Sequence, residues 1–177
     1  MKILGILRHA KSDWDDTAQR DFDRGLNGRG RKGAALIGAH IRDHGARWDA
    51  LLASPAARVK QTLEEALPDI EPVWDERLYL ASVTTIFDVI REHAGDADHV
   101  LISGHNPGLQ EVLFELIPPE NENELFSEAV RKFPTASFAV IEIDIDDWAD
   151  LDGAKGKLAH FARPRDLDPE LGPERAY

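Results

Sequence analysis

Short apolar runs alternate along this chain with segments of helical periodicity, and this alternation restricts the possible folds more than any other feature. Within residues 28–44, Ala34, Ile37 and Ile41 recur on one helical face, and Gly45 follows as a glycine that ends a helix. The same patterns predict helices at 54–67, from Ser82 or Thr85 to His93, and at 106–117. They predict strands at 2–7, 49–53, 72–74, 99–103, 137–145 and 158–161.

The order of these segments predicts the architecture. Strands that alternate with helices form a mostly parallel sheet with helices on both faces. The last two strands have little helical sequence between them, so at least one is expected to be antiparallel. We therefore expect an α/β fold, a three-layer α/β/α sandwich with a mostly parallel central sheet. Residues 1–163 are predicted to form one domain, residues 118–124 an acidic loop, and residues 164–177 a Pro-rich C-terminal tail.

Composition excludes several functional classes. The chain has no Cys, which excludes disulfides, thiolate metal sites and Cys nucleophiles. Its net charge of −12 weighs against nucleic acid as a partner, because phosphate backbones attract basic surfaces. The first apolar run stops at Arg8, too early for a signal peptide, and no segment approaches the roughly 18 apolar residues of a membrane span. We therefore expect a cytoplasmic protein without a membrane partner.

Arginines and histidines follow three of the predicted strands. Arg8 and His9 come directly after the first strand, Arg58 follows the second, and His105 follows the strand at 99–103. Ligands of open α/β sheets bind beyond the carboxyl ends of the strands, so these four side chains are expected to meet. Guanidinium groups match phosphate oxygens, and a neutral imidazole can attack phosphorus and carry the phosphoryl group. The pattern predicts a phosphoryl-transfer site.

Three motifs in this order resemble the histidine phosphatase superfamily, whose fold is phosphoglycerate-mutase-like. They are Arg8-His9 within residues 7–14, Ser54-Pro55-Ala56-Ala57-Arg58, and Gly104-His105-Asn106-Pro107. The segment 21–30 and the short chain resemble the SixA-type phosphohistidine phosphatase branch. The resemblance implies that His9 is the nucleophile and forms a phosphohistidine intermediate. It also implies that Arg8, Arg58 and His105 hold the phosphoryl oxygens, and that neither metal nor cofactor takes part.

Two further roles are expected at the same site. Arg24 is predicted to add positive charge and bind substrate near the same edge of the sheet. The general acid is open between Glu76, where many relatives carry a carboxylic acid, Asp13, four residues after His9, and no acid at all.

The question of the acid bears on the substrate. An alkoxide leaving group needs a donated proton, and a positioned acid contributes ~10²–10⁴-fold to the rate. A phosphohistidine leaves as an imidazole, which takes a proton readily by itself. A weak or absent acid would therefore suit phosphohistidine, and the leading hypothesis, which the resemblance implies, is a SixA-like phosphatase of protein phosphohistidine. The alternatives are a phosphatase of small phosphorylated metabolites, a mutase of the same fold, and a non-catalytic phosphate-binding module.

Overall fold

The apolar runs of the sequence form a six-stranded sheet with helices on both faces. The computed structural model describes residues 1–153 and 155–172. The strands are β1 Lys2–Arg8, β2 Ala50–Ala53, β3 Val73–Trp74, β4 His99–Gly104, β5 Phe138–Ile143 and β6 Gly156–Ala162. The helices are α1 Gly28–His44, α2 Ala57–Ala66, α3 Val83–His93, α4 Gly108–Leu116, α5 Glu124–Arg131 and α6 Pro164–Leu167. No helix in these described ranges is long and apolar enough to cross a bilayer.

The sheet has the strand order β3-β2-β4-β1-β5-β6. The four strands β1 to β4 run parallel to one another, while β5 is antiparallel to both β1 and β6. This confirms the predicted α/β fold with a mostly parallel sheet and an antiparallel strand. Because β6 is antiparallel to β5, it runs in the direction of β1. The carboxyl ends of β1, β2, β4 and β6 and the amino end of β5 therefore lie at the same edge.

Two apolar cores hold the helices on the two faces of the sheet. Leu4 and Ile6 of β1 join the core beneath α3, α4 and α5, whereas Leu7 joins the core beneath α1 and α2. This division follows the alternation of side chains along a strand. Ile37 and Ile41 of the predicted α1 face are fully buried in the second core. Each such side chain contributes about 1.5–3 kcal/mol by burial.

Two helices differ from the sequence predictions. The second helix begins at Ala57 rather than at Ser54, and its first turn has no side-chain cap. Residues 124–131, which follow the predicted acidic loop, form the short helix α5, which the sequence patterns did not indicate. The side chain of Asn123 accepts a hydrogen bond from the backbone N–H of Phe126 and so caps this helix. Only Phe126 and Ala129 are buried along it, so its apolar pattern was too short to detect.

The C-terminal segment is not a loose tail over residues 164–172. Pro164 and Pro169 stand at the first positions of two helical turns, where a missing N–H costs nothing, so these prolines start structure rather than prevent it. The turns pack on α1, where Pro164 meets Gly33 and the Lys32 ammonium lies 3.1 Å from an Asp168 oxygen. Residues 173–177 of the predicted tail lie outside the described residues.

Candidate active site

The predicted phosphoryl-transfer residues line one cavity of about 480 Å³ at the carboxyl edge of the sheet. Arg8, His9, Arg58 and His105 all contribute to its described lining, and so does Arg24. The chain brings them together from the ends of β1 and β4, the start of α2 and the loop before α1. The cavity falls within the roughly 300–1,000 Å³ of typical small-ligand pockets.

The backbone and one ring nitrogen of His9 are held by hydrogen bonds. Its N–H donates to the Gly104 carbonyl at 3.1 Å, and its carbonyl accepts from the Ala136 N–H at 2.9 Å. The ring nitrogen Nδ1 lies 2.7 Å from the Ala10 carbonyl oxygen. A carbonyl only accepts, so Nδ1 carries the proton and Nε2 keeps its lone pair.

The environment of His9 keeps its ring neutral. Burial lowers the pKa of His9 to about 3, with further lowering by Arg8, His105 and Arg58. The hydrogen bond to the Ala10 carbonyl opposes this shift without cancelling it. At neutral pH the imidazole therefore offers an unprotonated Nε2, which is the form that attacks phosphorus.

His105 is held by a hydrogen bond at one of its two ring nitrogens. Its Nε2 lies 2.8 Å from the Ser54 hydroxyl, which also accepts the backbone N–H of Ala56 at 3.3 Å. The buried Nδ1 has no hydrogen-bond partner among the described residues. The arrangement favours a Ser54 hydroxyl that donates to Nε2 and a ring that carries its proton on Nδ1, ready for an anion. The two imidazole centroids, of His9 and His105, are 5.3 Å apart.

Asp21 orients two of the arginines, and the motifs gave it no role. The Arg58 guanidinium donates to the Asp21 backbone carbonyl at 2.8 Å and to its carboxylate at 3.0 Å. Arg24 and the Tyr79 hydroxyl also bond this carboxylate. Burial works to raise the pKa of Asp21, but the bonds from Tyr79, Arg24 and Arg58 outweigh it and lower the pKa to about 2. Asp21 is thus a fixed negative charge behind the arginines.

The described residues satisfy only part of the hydrogen-bonding capacity of Arg8 and Arg24. Arg8 donates one bond, from Nη1 to the Phe133 carbonyl at 3.0 Å, and Arg24 stacks on the Trp14 ring at 3.5 Å. Their buried Nε atoms have no hydrogen-bond partner among the described residues. Buried donors are normally satisfied, so these groups indicate a site that completes itself with an anion.

Comparisons with known proteins agree with this geometry. The sequence profile of the Histidine phosphatase superfamily (branch 1) matches residues 4–79. An uncharacterised protein of Mycobacterium tuberculosis is 32% identical over 160 residues, which cover 90% of this chain and all of that protein. The solved structure of a candidate phosphohistidine phosphatase SixA from Agrobacterium tumefaciens is 30% identical, with a TM-score of 0.76 over 92% of this chain and 98% of that chain. The chain belongs to the histidine phosphatase superfamily.

A second solved structure supports the SixA-type branch of this superfamily. A candidate phosphohistidine phosphatase SixA from Nakamurella multipartitia matches with a TM-score of 0.81 at 29% identity. The match covers 92% of this chain and 96% of that chain. The predicted membership of the SixA-type branch is thus confirmed, and a phosphatase activity is supported.

Neither carboxyl group considered as the general acid of this histidine phosphatase reaches the cavity. Glu76 is exposed on a helical turn after β3 and does not line the cavity, so the structure does not bring it to the other site residues. The Asp13 carboxylate instead accepts the backbone N–H of Asp15. The described lining contains no Asp or Glu at all. Glu76 was predicted from its position after a strand, but β3 lies at the outer edge of the sheet, with β2 and β4 between it and β1.

Several cationic lining residues of this histidine phosphatase were not predicted. Lys132, Arg163 and Arg165 line the cavity. Arg163 directly follows β6 and Lys132 precedes β5, so the strand directions place both at the edge where His9 lies. The positions of Arg163 after β6 and of Lys132 before β5 are visible in the sequence. They indicate a place at this edge only once β6 is known to run parallel to β1.

A separate group of possible metal ligands lies away from this cavity. The side chains of Asp75, Glu92 and His93 have ligand atoms within 4.8 Å of one another. Arg77 already pairs with Asp75 at 2.7 Å and also contacts Glu92. Because Arg77 already bridges the two carboxylates and His93 contacts Asp75, this group forms an ion-pair network among the described residues.

Proposed function

We propose that this histidine phosphatase transfers a phosphoryl group from its substrate to Nε2 of His9 and then to water. The observation that carries the proposal is the neutral His9 ring, which has its proton committed to the Ala10 carbonyl and its Nε2 available. Arg8, Arg58 and His105 bind the equatorial phosphoryl oxygens and stabilise their charge in the transition state.

The chemistry balances in two steps. In the first, the Nε2 lone pair forms a bond to phosphorus, and the bond from phosphorus to the leaving group breaks with its electron pair on the leaving group. In the second, water attacks the phosphorus of the phosphorylated His9. The bond between phosphorus and Nε2 breaks, inorganic phosphate leaves, and the neutral ring returns.

The leading substrate is a phosphohistidine of a protein. The second ring nitrogen of a histidine takes a proton from solvent with an ordinary pKa of ~6.5, so a phosphohistidine ring can be protonated before the P–N bond breaks and leave as neutral imidazole. An alkyl phosphate would leave as an alkoxide, for which an acid supplies ~10²–10⁴-fold in rate. The absence of Asp and Glu from the described lining supports the substrate that needs no acid.

The test compares substrates that differ in their leaving group. The purified protein receives a phosphohistidine peptide, p-nitrophenyl phosphate and glycerol phosphate. We expect kcat/KM for the first two to exceed that for glycerol phosphate by about a hundredfold or more. Equal or better turnover of glycerol phosphate would favour a small-molecule phosphomonoesterase and overturn the phosphohistidine assignment.

A labelling experiment tests the intermediate. Quenching at alkaline pH should trap an acid-labile phosphoenzyme in the wild-type protein. His9→Gln should not form it and should lose at least about a thousandfold in kcat. His93→Gln serves as the matched control, because His93 lies outside the cavity lining and contacts Asp75. A phosphoenzyme in His9→Gln would remove His9 from the nucleophile role. If the wild-type protein turned over none of the three substrates, the result would favour a phosphate-binding module.

A further inference from the structure

The cavity is more cationic than the binding of one phosphoryl group requires. Five cationic side chains line its described part in addition to those of Arg8, Arg24 and Arg58: Lys11, Arg29, Lys132, Arg163 and Arg165. The whole chain has a net charge of −12, yet no Asp or Glu appears in that lining. A cleft lined by one sign of charge focuses the field and raises the local concentration of oppositely charged ligands.

Two of these cations have no hydrogen-bond or ion-pair partner among the described residues. Arg163 pairs with Asp166 at 3.0 Å, and Arg29 donates to the Gly172 carbonyl at 2.9 Å. No hydrogen bond or ion pair joins the side chain of Lys132 or Arg165 to another described residue, although Arg165 lies near enough to Asp166 to help lower the pKa of that carboxyl. Lys132 and Arg165 are therefore the cations of this wall best placed to bind a further anion.

The C-terminal turn is fastened so that it keeps Arg165 at the cavity. The Arg29 bond to Gly172, the Lys32 pair with Asp168, and the contact of Pro164 with Gly33 all attach it to α1. A cation on a fastened segment loses less conformational entropy when it binds than one on a mobile segment. The turn therefore forms a fixed part of the cavity wall.

The mouth of the cavity carries apolar side chains as well as charge. Trp14 is 66% exposed and Leu80 is 55% exposed, and both line the cavity. Lys132 is also exposed, whereas Arg58 and His105 on the phosphoryl side are buried. Aromatic and apolar groups beside charge are typical of surfaces that contact another protein. The mouth therefore fits a protein substrate better than a metabolite that would be fully enclosed.

We propose that Lys132 and Arg165 form a second anion subsite that binds an acidic side chain next to the phosphohistidine of the substrate protein. The inference rests on the proposed phosphohistidine phosphatase function and adds a charge requirement to its substrate. The same two cations could bind a second phosphate of a small molecule, and the experiment separates these sources.

The test uses two phosphohistidine peptides that are identical except for two residues beside the phosphohistidine, which are Glu in one and Gln in the other. It compares the wild-type protein with Lys132→Gln/Arg165→Gln at low salt. The matched control is Lys60→Gln/Lys157→Gln, which removes the same charge from two exposed lysines outside the cavity lining. Hydrolysis of p-nitrophenyl phosphate measures the basal chemistry of each protein. Inhibition by inorganic diphosphate relative to orthophosphate measures binding of a second phosphate.

We expect the wild-type and control proteins to prefer the Glu peptide about tenfold in kcat/KM. The Lys132→Gln/Arg165→Gln variant should lose this preference, so that its kcat/KM is about equal for the two peptides. Turnover of both peptides without preference, or a preference that survives in the double variant, overturns the subsite and leaves the phosphatase function intact. If inhibition by diphosphate depends on the two cations but the preference between the peptides does not, the assignment to an acidic side chain of a protein is overturned. No turnover of either peptide or of p-nitrophenyl phosphate defeats the proposed function itself.

Discussion

The hydroxyl of Ser54 lies 2.8 Å from Nε2 of His105, and the two residues are 51 positions apart in the chain. Ser54 is fully buried at the end of β2, and its oxygen also accepts the N–H of Ala56. The contact therefore links the segment before Arg58 to the imidazole after β4. Through it, Ser54 positions the ring of His105 without lining the cavity itself.

Ser54→Ala should lower kcat/KM for p-nitrophenyl phosphate by about tenfold, because a buried polar atom that loses its partner costs ~1–3 kcal/mol. The nitrogen shifts of His105 in NMR spectra should move from one tautomer toward a mixture. Ser127→Ala, which alters an exposed serine outside the cavity lining, is the control. An unchanged tautomer together with unchanged activity would remove Ser54 from the positioning role.

Asp21→Asn should lower kcat/KM by about tenfold, because charge-assisted hydrogen bonds contribute ~1.5–3 kcal/mol and this carboxylate bonds both Arg24 and Arg58. Steady-state kinetics with p-nitrophenyl phosphate measures the effect. Asp23→Asn is the matched control, because Asp23 pairs with Arg20 instead. If Asp21→Asn is as active as Asp23→Asn, the arginines hold their positions without this carboxylate.

The rings of His9 and His105 should stay neutral well below physiological pH, since burial lowers the pKa of each to about 3. Carbon NMR shifts of the two rings are expected to remain constant between pH 8 and pH 5. The signals that are lost selectively in His9→Gln are assigned to His9. A titration of either ring near pH 6.5 would contradict the nucleophilic state proposed for His9.

Stability should fall as the solution becomes acidic. The folded pKa of His9 and of His105 lies below the ordinary value of ~6.5, so the unfolded chain binds more protons between these values. Their contribution is fully present above about pH 6.5 and is lost as the pH falls toward 3. Urea unfolding at pH 7.5 and pH 5 measures the difference, and His9→Gln should reduce it. A free energy of unfolding independent of pH in this window would contradict the burial argument.

Glu76→Gln should leave kcat/KM within about twofold for both alkyl and aryl phosphates, because an exposed residue outside the cavity perturbs little. The measurement is the ratio of kcat/KM for glycerol phosphate to that for p-nitrophenyl phosphate. A selective loss with glycerol phosphate would return Glu76 to the acid role that its place in the sequence suggested.

Local sequence patterns determined much of this fold. The extent of α1 follows from its apolar spacing and from Gly45, whose φ of +86° is a backbone conformation that glycine adopts readily. The meeting of Arg8, His9, Arg58 and His105 follows from a general rule, because parallel strands share a carboxyl edge. These features depend on interactions within a few residues or on strand direction, so a single sequence is enough to predict them.

Tertiary structure decided the features that depend on distant segments. Asp21 meets Arg58 across 37 positions, and Ser54 meets His105 across 51. The place of Arg165 in the cavity wall requires β6 to run parallel to β1 and the C-terminal turn to pack on α1. Glu76 lies outside the cavity because β3 is an outer strand. The direction of side chains in loops depends on packing between segments that are remote in sequence, so residue spacing does not predict it.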